Sequence, residues 1–221
     1  MTLKREEYIY DLISQGEHQQ LDFKFEIADS RKIARTLVAF ANTDGGKLLI
    51  GVKDNGIIAG VRSEEEYYMA EAAAQLYSKP EVKFSVKEHE VEGKYVVEIL
   101  VPKSRHKPHF AAHKDGKWLA YVRIKDQNIL ACATLLKLWE REKLQDGVVI
   151  HYTENEKILL EYLEENPSIT LQKYTWLTGL SWKKAEKILL DFILLDVIEI
   201  VMTEKETVYR LKPLINPVSQ Q

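Results

Sequence analysis

The sequence predicts an α+β protein in two parts: a mostly antiparallel sheet with packed helices in residues 1–146, and a small winged helix-turn-helix domain in residues 147–221. In the first part, segments that alternate polar and apolar residues interleave with segments of helical spacing. Gln145, Asp146 and Gly147 then form a polar break. After the break, three helical segments and two β-rich runs follow in about 60 residues, which is the element order of a winged helix.

The first part opens with a helix over residues 4–14, predicted from the helical spacing of its apolar residues. The run LDFKFEI alternates with period two and predicts a half-buried strand whose Asp22 and Lys24 face the solvent. Ser30 then caps a second helix, which runs through ARTLVAFAN. Further elements are helices over residues 63–77 and 130–144, a hairpin over 83–101 that turns at Glu92-Gly93, and a strand over 118–124.

The stretch NTDGGKLLIGVKDNG holds four glycines and raises the question of a phosphate site. A phosphate-binding loop places its glycines before a helix N-terminus, whereas Gly45 and Gly46 follow the end of a helix. Gly45 is better explained as the left-handed residue that closes this helix, so the pattern disfavours an ATP site. KLLIGVK and IIAGV, separated by Asp54-Asn55-Gly56, predict a hairpin.

The second part contains three predicted helices, over residues 154–165, 170–178 and 182–195. Thr153 and Glu156 form a capping box that opens the first of them. Gly179 closes the second helix and Ser181 caps the third. VIEIVM and TVYRLK predict a terminal hairpin.

The composition is that of an ordinary globular protein, since 45% of the 221 residues are hydrophobic and 29% are charged. No apolar run reaches the roughly 18 residues of a membrane span, and the charged N-terminus does not resemble a signal peptide. Cys132 is the only cysteine, which favours the reducing cytoplasm as the compartment. The net charge of −3 argues against bulk electrostatic binding, so contact with nucleic acid requires a local basic patch.

Four stretches resemble the Schlafen/AlbA-like domain family: GEHQQLDFKFE, ARTLVAFANTDGGKLLIGVKDNGIIAGV, KPHF and WLAYVRIKDQNILA. The resemblance covers about residues 5–140 and implies a Schlafen AlbA-like fold. Bacterial members are regarded as transcriptional regulators, often with a C-terminal winged helix, and their domain has been described both as DNA-binding and as a divergent ATP-binding module. Animal Schlafen proteins with this domain cleave structured RNA with a metal-dependent acidic triad.

By this resemblance, Glu17, Asp22 and Asp54 occupy the three positions of the acidic triad. Carboxylates of this kind hold Mg²⁺ or Mn²⁺, which activates water and neutralises a phosphate. Lys24 shares a strand face with Asp22 and could contact a phosphate oxygen. The alternative is that Asp22 is a solvated strand residue and Asp54 is an ordinary turn residue.

The segment KSRHKPHFAAHKDGK, residues 103–117, is strongly basic and is expected to be an exposed loop. Its candidate phosphate contacts are Lys103, Arg105, Lys107 and Lys114. Arg123 is a further candidate, which the family resemblance favours. The three histidines of the segment lack a fixed spacing, so a metal site is disfavoured, and the alternative for the whole segment is a solvated loop.

The predicted helix over residues 182–195 would be the recognition helix, with Lys183, Lys184 and Lys187 in its first turns. It contains no Arg, Asn or Gln, so it is poorly suited to bidentate base readout. The domain also holds more acidic than basic side chains, and Trp176 and Trp182 could form an apolar edge. Protein docking is therefore the alternative to DNA binding for this domain.

These observations predict a nucleic-acid-binding protein, specifically a DNA-binding transcriptional regulator whose partner is DNA or structured RNA and not a membrane. One alternative is a metal-dependent endoribonuclease of the Schlafen type, which would need Mg²⁺ or Mn²⁺. The other is a nucleotide-binding or protein-docking module. A pseudo-palindromic target would require a homodimer.

Overall fold

The computed structural model describes residues 2–61, 65–144 and 152–213. The chain divides into two compact units, Met1–Ala131 (unit 1) and Cys132–Gln221 (unit 2). The predicted boundary between residues 146 and 147 lies outside the described residues. The units divide earlier than this boundary, so the helix Ala133–Leu144, which we placed in the first domain, groups with unit 2.

Unit 1 is an α+β structure whose helices and strands are interleaved along the chain. Its helices are α1 (Thr2–Ser14), α2 (Ser30–Asn42) and α3 (Glu65–Gln75). Its strands are β1 (Leu21–Lys24), β2 (Gly46–Ile50), β3 (Ser78–Lys79), β4 (Ser85–Val91), β5 (Lys94–Val101), β6 (Phe110–Ala112), β7 (Trp118–Leu119), β8 (Tyr121–Ile124) and β9 (Gln127–Leu130).

The main sheet of unit 1 has the strand order β1-β2-β5-β4. Strands β1 and β2 are parallel, whereas β2 with β5 and β5 with β4 are antiparallel. Two smaller antiparallel sheets, β3-β6-β7 and β8-β9, accompany it. The mostly antiparallel character predicted from the sequence is therefore confirmed.

Hydrophobic residues cover both faces of the main sheet, because side chains alternate along each strand. Leu48 and Ile50 of β2 belong to the cluster that contains the apolar stripe of α2. Leu49, between them, belongs to a second cluster that contains Ile9 of α1. The sheet is thus packed between α1 and α2, and its strands have no wholly solvated face.

Three local predictions for unit 1 are wrong. The N-cap of α2 is Asp29, whose side chain accepts from the Arg31 N–H, and Ser30 is the first residue of the helix. Asp22 does not face the solvent, because it is 3% exposed, while Phe25 lies beyond the end of β1 and is 40% exposed. The predicted hairpin at Asn55-Gly56 reduces to one isolated bridge between Val52 and Ile58, so IIAGV is not a strand. Strand β9 was not predicted at all.

Unit 2 contains four described helices and one hairpin. They are α4 (Ala133–Leu144), α5 (Glu154–Glu165), α6 (Leu171–Thr178), α7 (Trp182–Leu194), β10 (Ile198–Met202) and β11 (Thr207–Leu211). The capping box of Thr153 and Glu156 is present, and Gly179 ends α6 with φ 68°. Ile169, between α5 and α6, forms an antiparallel bridge with Tyr209 of β11. The elements after α4 therefore follow the predicted order.

Candidate nucleic-acid interface

Arg123 lies on β8 and is 2% exposed. Its guanidinium donates to Asp22 (Nη2 to Oδ1, 3.2 Å) and to Asn128 (Nη1 to Oδ1, 3.1 Å). It also donates to the backbone oxygens of Leu21 and His18, at 3.3 and 3.4 Å. Since all three nitrogens are used inside unit 1, Arg123 is not available to a phosphate. We therefore correct its assignment as a phosphate contact: it ties β1 to β8.

Glu17 and Asp22 form a carboxyl pair beside Lys24, whose Nζ lies 3.7 Å from Glu17 Oε1 and 3.2 Å from Asp22 Oδ1. Burial, and then a hydrogen bond with Asp22, raise the pKa of Glu17 to about 7. Burial alone would raise the pKa of Asp22, but the Glu17 hydrogen bond and the Lys24 and Arg123 charges outweigh it and lower that pKa. When the pair holds a single proton, Glu17 is therefore the group that carries it, and it loses this proton as the pH rises through about 7.

Asp54, the third predicted acid of the triad, is exposed in the turn after β2. Across the three described ranges of the chain, no three His, Cys, Asp or Glu side chains are grouped so as to hold a metal ion. The Asp22 oxygens already accept hydrogen bonds from Arg123, Lys24 and Thr36. The acids in this arrangement do not fit a divalent cation, and the acidic triad stays a prediction.

The basic segment, residues 103–117, is partly anchored and is not the simple exposed loop that the sequence predicted. It contains β6, and His109 within it is 5% exposed. The side chain of Asn42, at the end of α2, accepts from the His109 N–H (2.8 Å) and donates to the His109 carbonyl (2.9 Å). The Ser104 N–H donates to the Ala41 carbonyl (2.8 Å). The segment is therefore held against the C-terminal end of α2.

The cations of the basic segment are mostly exposed, and several contact oxygen atoms of unit 1. Lys103 Nζ lies 3.2 Å from Asp44 Oδ1, and Lys107 Nζ donates to the Thr43 carbonyl at 3.4 Å. The Lys114 ammonium lies 4.0 Å from a carboxylate, and Arg105 is exposed. Exposed ion pairs contribute little free energy, so a phosphate can replace these carboxylates.

Three lysines of α7 are exposed in its first two turns, namely Lys183, Lys184 and Lys187. Within the ranges 2–61, 65–144 and 152–213, no carboxylate lies within 4.0 Å of any of their ammonium groups. The opposite side of the helix is packed into the unit 2 core through Ala185 and Leu189. The lysines therefore project from unit 2 and form no ion pair with the part of the chain that the structure describes.

The two acids of α7 are buried beneath this surface. Glu186 is 3% exposed and forms an ion pair with Lys137 of α4, and Thr134 donates to it at 3.2 Å. Asp191 is also buried, with Arg141 of α4 at 3.8 Å. Unit 2 holds more acidic than basic side chains, but the exposed surface of α7 does not, because both acids of this helix are buried.

Trp176 near the end of α6 and Trp182 at the start of α7 are 74% and 56% exposed. Lys173 Nζ lies 4.2 Å from the Trp176 ring centroid, within the range of a cation–π contact. Sequence reasoning did not single out Lys173, although its i, i+3 spacing to Trp176 on a helix was the available signal. One exposed indole thus lies on each side of the turn between α6 and α7, and a lysine lies against the first of them.

Among the described residues, no helix is long and apolar enough to cross a membrane. No curated protein matches the chain. A solved structure of the DIP2311 protein from Corynebacterium diphtheriae is 16% identical, with a TM-score of 0.47, over 73% of this chain and 38% of that one. The N-terminal domain of a RecG-related protein from Nitrosomonas europaea is 19% identical, with a TM-score of 0.41, over 67% of this chain and 98% of that one.

The family described as "Schlafen, AlbA_2" matches residues 17–131, which is more than half of the 221 residues. The match includes Glu17, Asp22 and the Asn42 that anchors the basic segment. The chain belongs to the Schlafen AlbA_2 family.

Proposed function

We propose that this chain is a DNA-binding transcriptional regulator in which unit 2 is a winged helix-turn-helix. The first turns of α7 then contact the phosphate backbone of the target. The observation that carries the proposal is the set of three exposed lysines, Lys183, Lys184 and Lys187, with no carboxylate within 4.0 Å in the described ranges. Membership of the Schlafen AlbA_2 family is consistent with a nucleic-acid-related function.

The arrangement of unit 2 supports the winged-helix assignment. Helices α5, α6 and α7 precede the β10-β11 hairpin, and the Ile169–Tyr209 bridge adds a third extended segment beside β11. In a helix-turn-helix the second helix of the pair enters the major groove, and its N-terminal residues reach the target. In unit 2 that helix is α7, whose N-terminal turns hold the three lysines.

The net charge of −3 does not oppose this proposal. Phosphate binding depends on the local density of cations. Glu186 and Asp191, the only acids on α7, are buried against Lys137 and Arg141. The field at the exposed face of α7 is therefore positive, although unit 2 as a whole is not basic.

Unit 1 supplies a second basic surface in this proposal. Arg105 is exposed, and Lys103 and Lys114 are paired only with exposed or half-buried carboxylates that a phosphate can replace. Because Asn42 fixes the segment at His109, these cations are presented from an anchored backbone. Charge reversal at Arg105 and Lys107 is expected to weaken binding without changing the contribution of α7.

The proposal is tested by titrating a fluorescently labelled DNA duplex with the full chain at several salt concentrations. A triple variant, Lys183→Gln with Lys184→Gln and Lys187→Gln, is expected to weaken binding roughly tenfold or more and to reduce the salt slope by about 2 to 3. The control replaces three lysines elsewhere in unit 2, Lys143, Lys157 and Lys212, and gives the same net charge as the triple variant of α7. Equal loss of affinity in the two triple variants would refute the role of α7.

The same reactions, with labelled tRNA and with and without Mn²⁺, also test the nuclease alternative. Each time point is run on a native and a denaturing gel. RNA fragments that appear only with Mn²⁺ and are absent with Asp54→Ala would show that the chain is a nuclease. Asp54 would then have to act together with Glu17 and Asp22. Intact nucleic acid with a salt-sensitive shift is the outcome that we expect.

A further inference from the structure

We propose that unit 2 binds unpaired bases by stacking them on Trp176 and Trp182, so that its preferred ligand is single-stranded nucleic acid. This inference rests on the nucleic-acid binding of the proposed function, and it makes an unpaired strand, not the duplex, the preferred ligand of the same two helices. It is carried by the two exposed indoles, by the lysine that lies against Trp176, and by the exposed lysines in the first turns of α7.

Neither indole contributes to the unit 2 core. With 74% and 56% of their surfaces exposed, Trp176 and Trp182 lie outside the buried cluster built around Leu159, Tyr174 and Tyr209. Exposed aromatic side chains are the groups on which the bases of a single strand stack. Their position on each side of the short turn between α6 and α7 places both on the helix-turn-helix itself.

The charges near the indoles select a polyanion as the occupant. The Lys173 ammonium stays 4.2 Å from the Trp176 ring, and Lys183 and Lys184 directly follow Trp182 in α7. Protein-binding surfaces that are built around tryptophan are depleted of lysine at their centre. Indoles alternating with lysines are instead typical of surfaces that stack bases while cations contact the phosphates.

Unpaired bases fit this surface better than a duplex does. A duplex offers only base edges in its grooves, and the side chains that read them bidentately are Arg and Lys for guanine and Asn and Gln for adenine. Of these four residue types α7 holds only lysine, so it has no group that reads adenine. An unpaired base offers its π-face, and each base stacked on an aromatic residue contributes about 1–3 kcal/mol. The surface therefore carries the aromatic and cationic groups that a single strand needs, and for reading a duplex it has only lysines.

The test measures binding of the full chain to labelled oligo-dT, to the same strand paired with oligo-dA, and to an abasic strand with equal phosphates. We expect oligo-dT to bind at least tenfold tighter than the duplex and the abasic strand. Trp176→Ala and Trp182→Ala should each weaken oligo-dT binding by about 5- to 150-fold, which is the stacking energy of one base expressed as a ratio of dissociation constants. Both variants should leave duplex binding within about twofold of the wild type. Tyr152→Ala, which removes another exposed aromatic residue of unit 2, is the control.

The outcomes separate this inference from the proposed function. If the abasic strand or the duplex binds as tightly as oligo-dT, and the tryptophan variants bind normally while the α7 lysine variant does not, the stacking inference is overturned and the proposed function stands. If none of the ligands binds, both are overturned. An oligo-rU arm shows whether the single strand is DNA or RNA.

Discussion

Replacing Arg123 by methionine should lower the free energy of unfolding of unit 1 by about 3–5 kcal/mol, because removing one partner of a buried ion pair leaves the other charge uncompensated. The Asp22 side chain is 5% exposed, and the Arg123 side chain 1% exposed. Asp22 would keep only Lys24 as a cationic partner, and the carbonyls of His18 and Leu21 would each lose one of their two donors. A loss of this size is a large part of the roughly 5–15 kcal/mol that stabilises a domain.

Hydrogen exchange of backbone amides in β1 and β8, followed by mass spectrometry, measures this loss in unit 1 separately from unit 2. Arg105→Met is the matched control, since Arg105 is exposed and its replacement should change the free energy by less than about 0.5 kcal/mol. Adding Asp22→Asn to Arg123→Met should recover part of the loss, because no buried charge then remains unpaired. A loss below about 1 kcal/mol for Arg123→Met would refute the view of Arg123 as a buried clamp.

Three further changes are expected to act locally. The pKa of Glu17 is about 7 in the folded chain against an ordinary 4.5, so the unfolded chain loses this proton first and stability falls as pH rises between these values. The melting temperature of Glu17→Gln should therefore rise relative to that of the wild type as the pH is raised from 4 to 8. A difference in melting temperature that does not change with pH would contradict the raised pKa of Glu17. Gly45→Ala should lower the free energy of unfolding by more than the roughly 1–2 kcal/mol that a left-handed backbone costs a residue with a side chain, because the new Cβ would lie 2.7 Å from the Val101 carbonyl oxygen. Gly93→Ala has a similar φ and no atom within 4 Å of the new Cβ, so in urea unfolding it should show the backbone cost alone. Thr153→Ala should destabilise unit 2 by about 1 kcal/mol, and Thr153→Ser should restore most of it, as read by circular dichroism on heating.

Helices α5, α6 and α7 were predicted from sequence to within about a residue, because the signals that bound them are local. Thr153 and Glu156 lie within one helical turn and cap α5 whatever surrounds them. Gly179 ends α6 because its φ of 68° lies in the left-handed region, which glycine adopts without strain. The turn at Glu92-Gly93 was likewise predicted, and both residues have positive φ.

The candidate interface was predicted only in part. The lysines of α7 were recognised because helical spacing shows which side of a helix is polar. Their electrostatic setting was not, because Glu186 and Asp191 count as acids in the sequence and are neutralised by Lys137 and Arg141 of another helix. A charge balance along the chain does not say which charges are buried together.

The sequence by itself determined the α+β class, the family and most helix ends, since periodicity, caps and turns act over a few residues. Only the tertiary structure decided the roles of Asp22 and Arg123. Period-two alternation predicts that one face of a strand is polar, but it does not say whether that face meets water or another layer of the protein. In this chain β8 brings a guanidinium against β1, so the polar face is buried and its charge is paired across about a hundred residues of sequence.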